Sequence, residues 1–372
     1  MKNKIFFISS SMMPFELFLF NQINLLSKNY DVYLISNNKQ YNSLIFNNSK
    51  IISIPISRNI NLLYDIFSLI KLFSILLKFK PKLIISITPK GGLISVMANY
   101  FMKYKHLHFI TGQNWINKKG IVRLIYKSFD KFTFHNSTSM LVDSKSQIKF
   151  LKSENFKTNK MNLIKLGSIC GVSPDIFYPN KIFKYKERNK LKISNANIVI
   201  LYLGRIHKEK GIFELYDVCQ KLFNEGFDIS LLLVGNIEDQ KFYKILQKNN
   251  NFVSHYEHND NPQKYMQVSD IFCIPSFREG FGLSVIEASS CELPILGTNI
   301  SGLKDSIVNN YTGILFRLGD SNDFYHKLKK LIMDKNLRLQ LGKNGRKRVI
   351  SDFNQKDVVK FIDLHIQKII NS

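Results

Sequence analysis

The stretch Pro275-Ser-Phe-Arg-Glu-Gly-Phe-Gly-Leu-Ser-Val-Ile-Glu-Ala288 decides the fold. The four residues ahead of it, 271–274, are an unbroken apolar run of strand length, and a helix opens near Leu283 or Ser284. Gly280 and Gly282 let a backbone come close to a ligand, while the first turn of a helix presents unpaired N–H groups carrying a partial positive charge. A phosphate suits such a place. Glu279 falls on the loop and Glu287 about one turn into the helix, by the ~3.6-residue period. Carboxylates there accept hydrogen bonds from sugar hydroxyls flanking a diphosphate. On residue types alone a strand–turn–helix with two surface glutamates fits equally, because a Gly-x-Gly by itself is a weak signal.

A second stretch, Leu201-Tyr-Leu-Gly-Arg-Ile-His-Lys-Glu-Lys-Gly211, has the same construction. It closes an apolar run at 198–203, and Gly204, Arg205 and Lys210 come before the next helical pattern. Arginine offers a planar fork to phosphate oxygens and lysine a mobile point charge. Both stretches lie at the C-terminal ends of strands and hence at one edge of a sheet. One loop with cations and one with amides would together hold a diphosphate.

Outward from these loops, apolar runs alternate with longer helical patterns. Strands are expected at 5–8, 32–36, 83–87, 107–110, 139–142 and 161–166, then at 198–203, 230–234, 271–274 and 295–297. Helices are expected at 15–28, 91–103, 211–225, 283–291 and 320–350. This order predicts an α/β fold of two doubly wound, Rossmann-like parallel sheets, facing each other across a central cleft. The Gly and Pro of 167–179 and the lysine-rich 180–197 read as turn and linker. They set domains at 1–179 and 180–352, with 353–372 as a terminal amphipathic helix crossing back to the first domain.

With 372 residues, two domains of ~150 residues are expected. Hydrophobic content of 45% and charged content of 22% exclude a disordered chain. Four cysteines with no Cys-x-x-Cys pair argue against a disulfide scaffold or a zinc site and fit a reducing cytoplasm. The net charge is +25, and residues 1–180 hold 24 of the basic and only 7 of the acidic side chains. Such a bias suits an anionic partner: nucleic acid, a phosphorylated substrate or an acidic membrane surface. Zinc-finger spacing and RNA-binding aromatic motifs are missing, so nucleic acid is not expected. A nicotinamide fold lacks its third glycine, since Val285 stands there. The apolar stripe 62–79, broken by Asp65, Lys71 and Lys78, is too interrupted to span a membrane. It suits core packing or an in-plane membrane contact.

Taken together, Gly204-Arg205, Lys210-Gly211, Glu279 through Glu287, Leu233-Val-Gly235, Pro294 to Thr298 and Thr312-Gly313-Ile-Leu-Phe316 resemble the nucleotide-sugar glycosyltransferases of family 4. That resemblance implies the GT-B fold, retention of anomeric configuration, no divalent metal or other cofactor, and a nucleotide diphosphosugar, commonly a UDP-sugar, as co-substrate. It implies that Arg205 and Lys210 neutralise the donor diphosphate, that Glu279 binds the transferred sugar, and that Glu287 binds the ribose. The amides of Gly282, Leu283 and Ser284 would hold the phosphates or the sugar, with Gly280 and Phe281 shaping the turn and Gly204 also at the donor site. Gly112-Gln-Asn-Trp115, Lys118-Lys119-Gly120 and Val142-Asp-Ser144 resemble a polysaccharide-assembly branch. The acceptor would then be a growing, polyprenyl-diphosphate-linked glycan of O-antigen or capsule type, met by a cytoplasmic protein peripheral to the inner membrane face.

The first half departs from the family. Where relatives carry a histidine after the 107–110 strand, Thr111 or Gln113 stands here, and Ser11-Met-Met-Pro14 replaces a glycine pair. His106 and His108 read as core or surface residues, and Trp115 as packing or as a stacking platform. Thr88-Pro-Lys-Gly-Gly92 offers Lys90 and Gly91 as an anion site for the acceptor's pyrophosphate, or else a glycine turn with an exposed lysine. A glycosyltransferase that binds without turnover also fits this departure, although Arg205, Lys210, Glu279 and Glu287 are all in place.

Overall fold

A computed structural model describes residues 2–37, 46, 48–57, 60–248, 251–257 and 261–372. The chain divides into two compact units, Met1–Cys170 joined by Lys356–Ser372, and Gly171–Gln355. The first is built from β1 (Lys4–Ile8), α1 (Met13–Phe18), α2 (Phe20–Ser27), β2 (Asp31–Ser36), β3 (Ser49–Ser53), α3 (Leu62–Phe79), β4 (Leu83–Ile87), α4 (Pro89–Asn99), β5 (Lys105–Ile110), α5 (Gly120–Asn136), β6 (Ser139–Val142), α6 (Lys145–Ser153) and β7 (Met161–Leu163). The second follows with α7 (Lys181–Lys190), β8 (Ile198–Leu203), α8 (Ile212–Asn224), β9 (Ile229–Val234), α9 (Gln240–Leu246), β10 (Val253–Tyr256), α10 (Pro262–Val268), β11 (Ile271–Ile274), α11 (Leu283–Ser290), β12 (Ile295–Thr298), α12 (Leu303–Ser306), β13 (Gly313–Phe316), α13 (Ser321–Met333) and α14 (Lys335–Asp352). A last helix, α15 (Gln355–Asn371), belongs almost wholly to the first unit.

Both sheets are parallel, in the orders β3-β2-β1-β4-β5-β6-β7 and β10-β9-β8-β11-β12-β13. Each strand run turns back on itself once, between β1 and β4 and between β8 and β11. In such sheets ligands bind where the connections part, at the carboxyl ends of those two strands. Period-2 alternation explains how helices cover both faces. Ile200, Tyr202, Leu231, Leu233, Ile271 and Cys273 point into one core layer, and their neighbours Val199, Leu201, Leu232, Val234, Phe272 and Ile274 into the other.

Several expectations needed correcting at this level. The helix expected over 15–28 is two helices meeting at Leu19, and that over 320–350 breaks at Asp334. There the Asp334 side chain caps the next helix by accepting from Leu337 N. The stretch 180–197, read as linker, holds α7, because lysine-rich composition hides two buried polar anchors. Arg188, 2% exposed, donates to Val268 O at 2.8 Å and pairs with Asp270 at 2.5 Å, while Glu187 takes Lys264 and Lys190. Ion pairs this well enclosed need further hydrogen bonds to hold, and the Val268 carbonyl supplies one.

Helix α15 is amphipathic, burying Val358, Ile362, Ile366, Ile369 and Ile370. It is tied into the first unit by Gln22 Nε2 to Val359 O (2.8 Å), Lys105 Nζ to Ile369 O (2.9 Å) and Ser139 Oγ to His365 Nε2 (2.9 Å). Among the described residues no helix is long and apolar enough to cross a membrane.

Candidate functional site

The two stretches singled out in the sequence leave adjacent strands at the second unit's switch point, β8 and β11. Between them they form one interlocked structure. Gly211, at φ +70°, caps α8 with its backbone so close to the Pro275 carbonyl that any Cβ would collide with it. Phe277 N donates to Glu209 O at 3.0 Å. Lys210 Nζ lies 2.6 Å from Glu279 Oε1, and Ser276 Oγ donates to that same oxygen at 2.8 Å. Two loops roughly seventy residues apart in sequence are thus fastened by backbone and charge together, and both ionic side chains stay partly open to solvent.

Glu279 leads into Gly280 and Phe281. The Phe281 ring is buried and meets Phe353 edge-on at 5.3 Å, which anchors the turn. Gly282 then takes φ +79° as the cap of α11, and no side chain caps that end of the helix. Leu283 and Ser284 begin the first turn, whose amides have no residue four positions back in the helix to bond. Gly302, at φ +90°, backs the turn, with the Gly280 carbonyl where its side chain would be. Glu287 projects from the same helix, part-buried, with no hydrogen-bond or ionic partner among the described residues. Desolvation raises its carboxyl to about 7.

Arg205 is more exposed than Lys210 and pairs with Glu238 at 2.8 Å. Its backbone is held from below, since the buried Tyr202 hydroxyl donates to Arg205 O at 2.7 Å. Gly204 and Gly235 pack backbone to backbone there. Sequence reading missed Ser276, Glu238 and Tyr202. The signal for Glu238 was present in Leu233-Val-Gly235, since a strand beside β8 delivers its following loop next to Arg205, and Ile206 bridges Ile237.

The remaining candidates belong to the first unit. Lys90 is ion-paired with Asp65 at 2.6 Å and donates to Ser57 Oγ at 3.0 Å, so it is a held lysine in a wall and not an exposed one. Gly91 opens α4 against Ile8 and Ser9 of the neighbouring strand, and Thr88, at φ +81°, accepts from Gly91 N and Ser10 N. Thr111 is part-exposed beyond β5, and Gln113 is buried. His106 and His108 are core residues, both bonded to Ser86 Oγ (2.9 and 2.8 Å), and burial lowers them to about 3 and about 4. Trp115 is packing: fully buried, stacked on Phe150 and Phe156, its indole donating to Asp130 Oδ2 at 2.8 Å. Burial raises that aspartate to about 7.

Residues 183–348 match the family model described as glycosyl transferases group 1, and residues 4–144 the one described as glycosyl transferase 4-like. The capsular polysaccharide biosynthesis glycosyltransferase CapM of Staphylococcus aureus is 33% identical over 342 residues, covering 88% of this chain and 87% of that protein. The UDP-Gal:alpha-D-GlcNAc-diphosphoundecaprenol alpha-1,3-galactosyltransferase of Escherichia coli is 27% identical over 325 residues, 84% of this chain and 82% of that one. Among solved structures, HepE of Anabaena in complex with UDP and glucose superimposes with a TM-score of 0.83 over 98% of this chain and 100% of that one, at 15% identity, a likeness of fold. With two family models in chain order and a relative one-third identical across nearly nine-tenths of both lengths, the chain belongs to the group 1, family-4-like glycosyltransferases and has their GT-B fold.

Proposed function

We propose that the chain is a retaining glycosyltransferase moving a hexosyl or N-acetylhexosaminyl group from a UDP-sugar to a polyprenyl-diphosphate-linked glycan, in the assembly of a bacterial capsule or lipopolysaccharide-type polymer. The observation that carries the reading is the Lys210–Glu279 pair at 2.6 Å, set at the uncapped first turn of α11 with the unpartnered Glu287 on that helix. It is supported by the E. coli relative, whose name specifies a UDP-sugar donor and a diphosphoundecaprenol acceptor.

In this reading the donor diphosphate lies between the α11 amides and the cations of Lys210 and Arg205. As the bond from the anomeric carbon to the phosphate oxygen breaks, its electron pair stays on that oxygen. Fixed dipoles and cations already face the place where the charge grows, which lowers the barrier without reorganisation. Glu279 accepts from hydroxyls of the departing sugar and Glu287 from the ribose. The acceptor hydroxyl attacks from the leaving-group side and passes its proton to the freed phosphate. Neither a protein nucleophile nor a metal is required. The protein works in the cytoplasm, peripheral to the inner membrane face, and nucleic acid is not a partner.

The test is nucleoside diphosphate release from a panel of nucleotide sugars, with a membrane lipid extract as acceptor. Glu279→Ala and Lys210→Ala are run beside wild type, with and without EDTA. Release from one donor, lost in both variants and unaffected by EDTA, is expected. If no donor turns over and none raises the melting temperature, the reading is wrong.

A further inference from the structure

The first unit carries an apolar groove of about 250 Å³ between α3, α4 and α5. Its walls include Ile66 and Leu69 of α3, Leu93 and Met97 of α4, Phe129 of α5, and Trp115. One ion pair, Lys90 with Asp65, interrupts this lining. The helices on either side also turn apolar side chains to solvent, with Leu63 82% and Ile121 73% exposed, and Phe67, Ile70 and Leu124 more than half exposed. An apolar surface this extensive marks a binding face.

Charge narrows the choice of occupant. Helices α3, α4 and α5 carry only two carboxylates, and both are engaged, Asp65 by Lys90 and Asp130 by the Trp115 indole. Lys71, Lys78, Lys119 and Lys131 are exposed and have no carboxylate partner among the described residues. Lys118 stands over the ring of Tyr126, a groove residue, at 4.8 Å. The face is therefore apolar with uncompensated positive charge, complementary to an amphiphile with an anionic head. A second copy of this chain would bring like-charged lysines together, which opposes pairing. The concave shape favours a single chain over the flat surface of a bilayer. An apolar cavity of about 150 Å³ takes a benzene-sized hydrocarbon, so this one has room for a short branched segment.

We propose that the groove binds the first isoprene units of the lipid-linked acceptor, with its phosphates meeting Lys118 beside Tyr126. This deepens the function proposed above and rests on its choice of acceptor. The groove then recognises the lipid carrier and leaves the glycan to other residues. Chain binding in the groove would also hold the exposed residues of α3 and α5 at the membrane interface.

Trp115 lines the groove and is the only tryptophan in the chain, so its emission reports occupancy without any turnover. Purified protein is titrated with farnesyl phosphate, farnesol, inorganic phosphate, and phosphatidylcholine vesicles with and without phosphatidylglycerol. A saturable emission change with farnesyl phosphate is expected, with half-saturation at least tenfold higher for farnesol and no response to inorganic phosphate. Ile66→Glu and Met97→Glu, at part-exposed positions, weaken the response at least tenfold, whereas Ile66→Leu keeps it. All three keep the melting shift produced by UDP. The proposal is overturned if wild type shows no saturable change, or if anionic vesicles act as strongly as farnesyl phosphate. It is also overturned by a dimer that Ile66→Glu dissolves. A UDP shift without a farnesyl phosphate response removes the groove and leaves the donor reading standing. The reverse result removes the donor reading alone.

Discussion

The two units place loops at equivalent switch points, β1 with β4 and β8 with β11, and use them in opposite ways. In the second unit the loop after β11 is clasped by the loop after β8 through Gly211 on Pro275 and Lys210 on Glu279, so polar side chains stay at the strand ends. In the first unit the polar side chains turn inward. Ser86 joins two buried histidines, Trp115 holds Asp130, and Lys90 is paired with Asp65, while solvent meets a largely apolar helix face. A recognition site for a charged small molecule needs exposed, rigid polar groups. A site for a hydrocarbon needs those groups satisfied out of the way.

The largest effect expected from breaking this contrast is at Gly211. A side chain there strikes the Pro275 backbone and is strained at φ +70°, so Gly211→Val should cost about 2–4 kcal/mol and abolish UDP binding. Gly91→Ala, the first-unit counterpart, meets Thr88 Oγ1 at 2.8 Å and the Ser9 and Ile8 backbone at 3.1 and 3.2 Å but carries no positive-φ strain, and should cost less. Thermal melts of both variants with and without UDP decide this.

Next is Lys210→Ala, which removes the cation proposed to face the leaving phosphate and takes away the ionic partner of Glu279. A fall in kcat of about 10²–10³-fold is expected from the loss of one preorganised electrostatic contact, read in donor turnover. A fall below threefold would mean that Arg205 or the α11 amides carry the charge.

Glu287 sharpens the comparison through pH. Its carboxyl, raised to about 7, becomes a full acceptor only as pH climbs through that value. UDP affinity should therefore rise between pH 6 and 8, by up to about tenfold per unit of linked pKa change. Glu287→Gln should flatten the profile.

The first unit offers a pH test of stability and not of binding. His106 and His108 bind protons near 6.5 when unfolded but only at about 3 and about 4 when folded. Between these values the unfolded chain holds more protons, so stability falls as pH drops from 6.5 toward 4. Denaturant melts across that range should show it, and Ser86→Ala, which strips both rings of a partner, should cost about 1–3 kcal/mol at neutral pH.

Legibility followed how local each cause was. The strand runs 198–203 and 271–274 and the glycines beyond them depend on residues next to one another, and they were readable as two strands each followed by a glycine loop. The helix α7 was missed because its reason to fold is remote, Arg188 meeting Asp270. Edge strands β3 and β10 escaped because they are short and only half apolar. Lys90 read as an exposed cation, since nothing in its own neighbourhood announces Asp65.

By itself, then, the sequence determined the two parallel sheets and the family, and singled out Arg205, Lys210, Glu279 and Glu287 as candidates, because hydrophobic period and turn glycines act over a few residues. Only the tertiary structure decided which charges stay available. It locked Lys210 to Glu279, left Glu287 without a partner, paired Lys90 inside a groove and gathered an apolar face from three helices. Those outcomes rest on distances between residues far apart in the chain, and an ion pair or a cavity exists only once the packing has brought its members together.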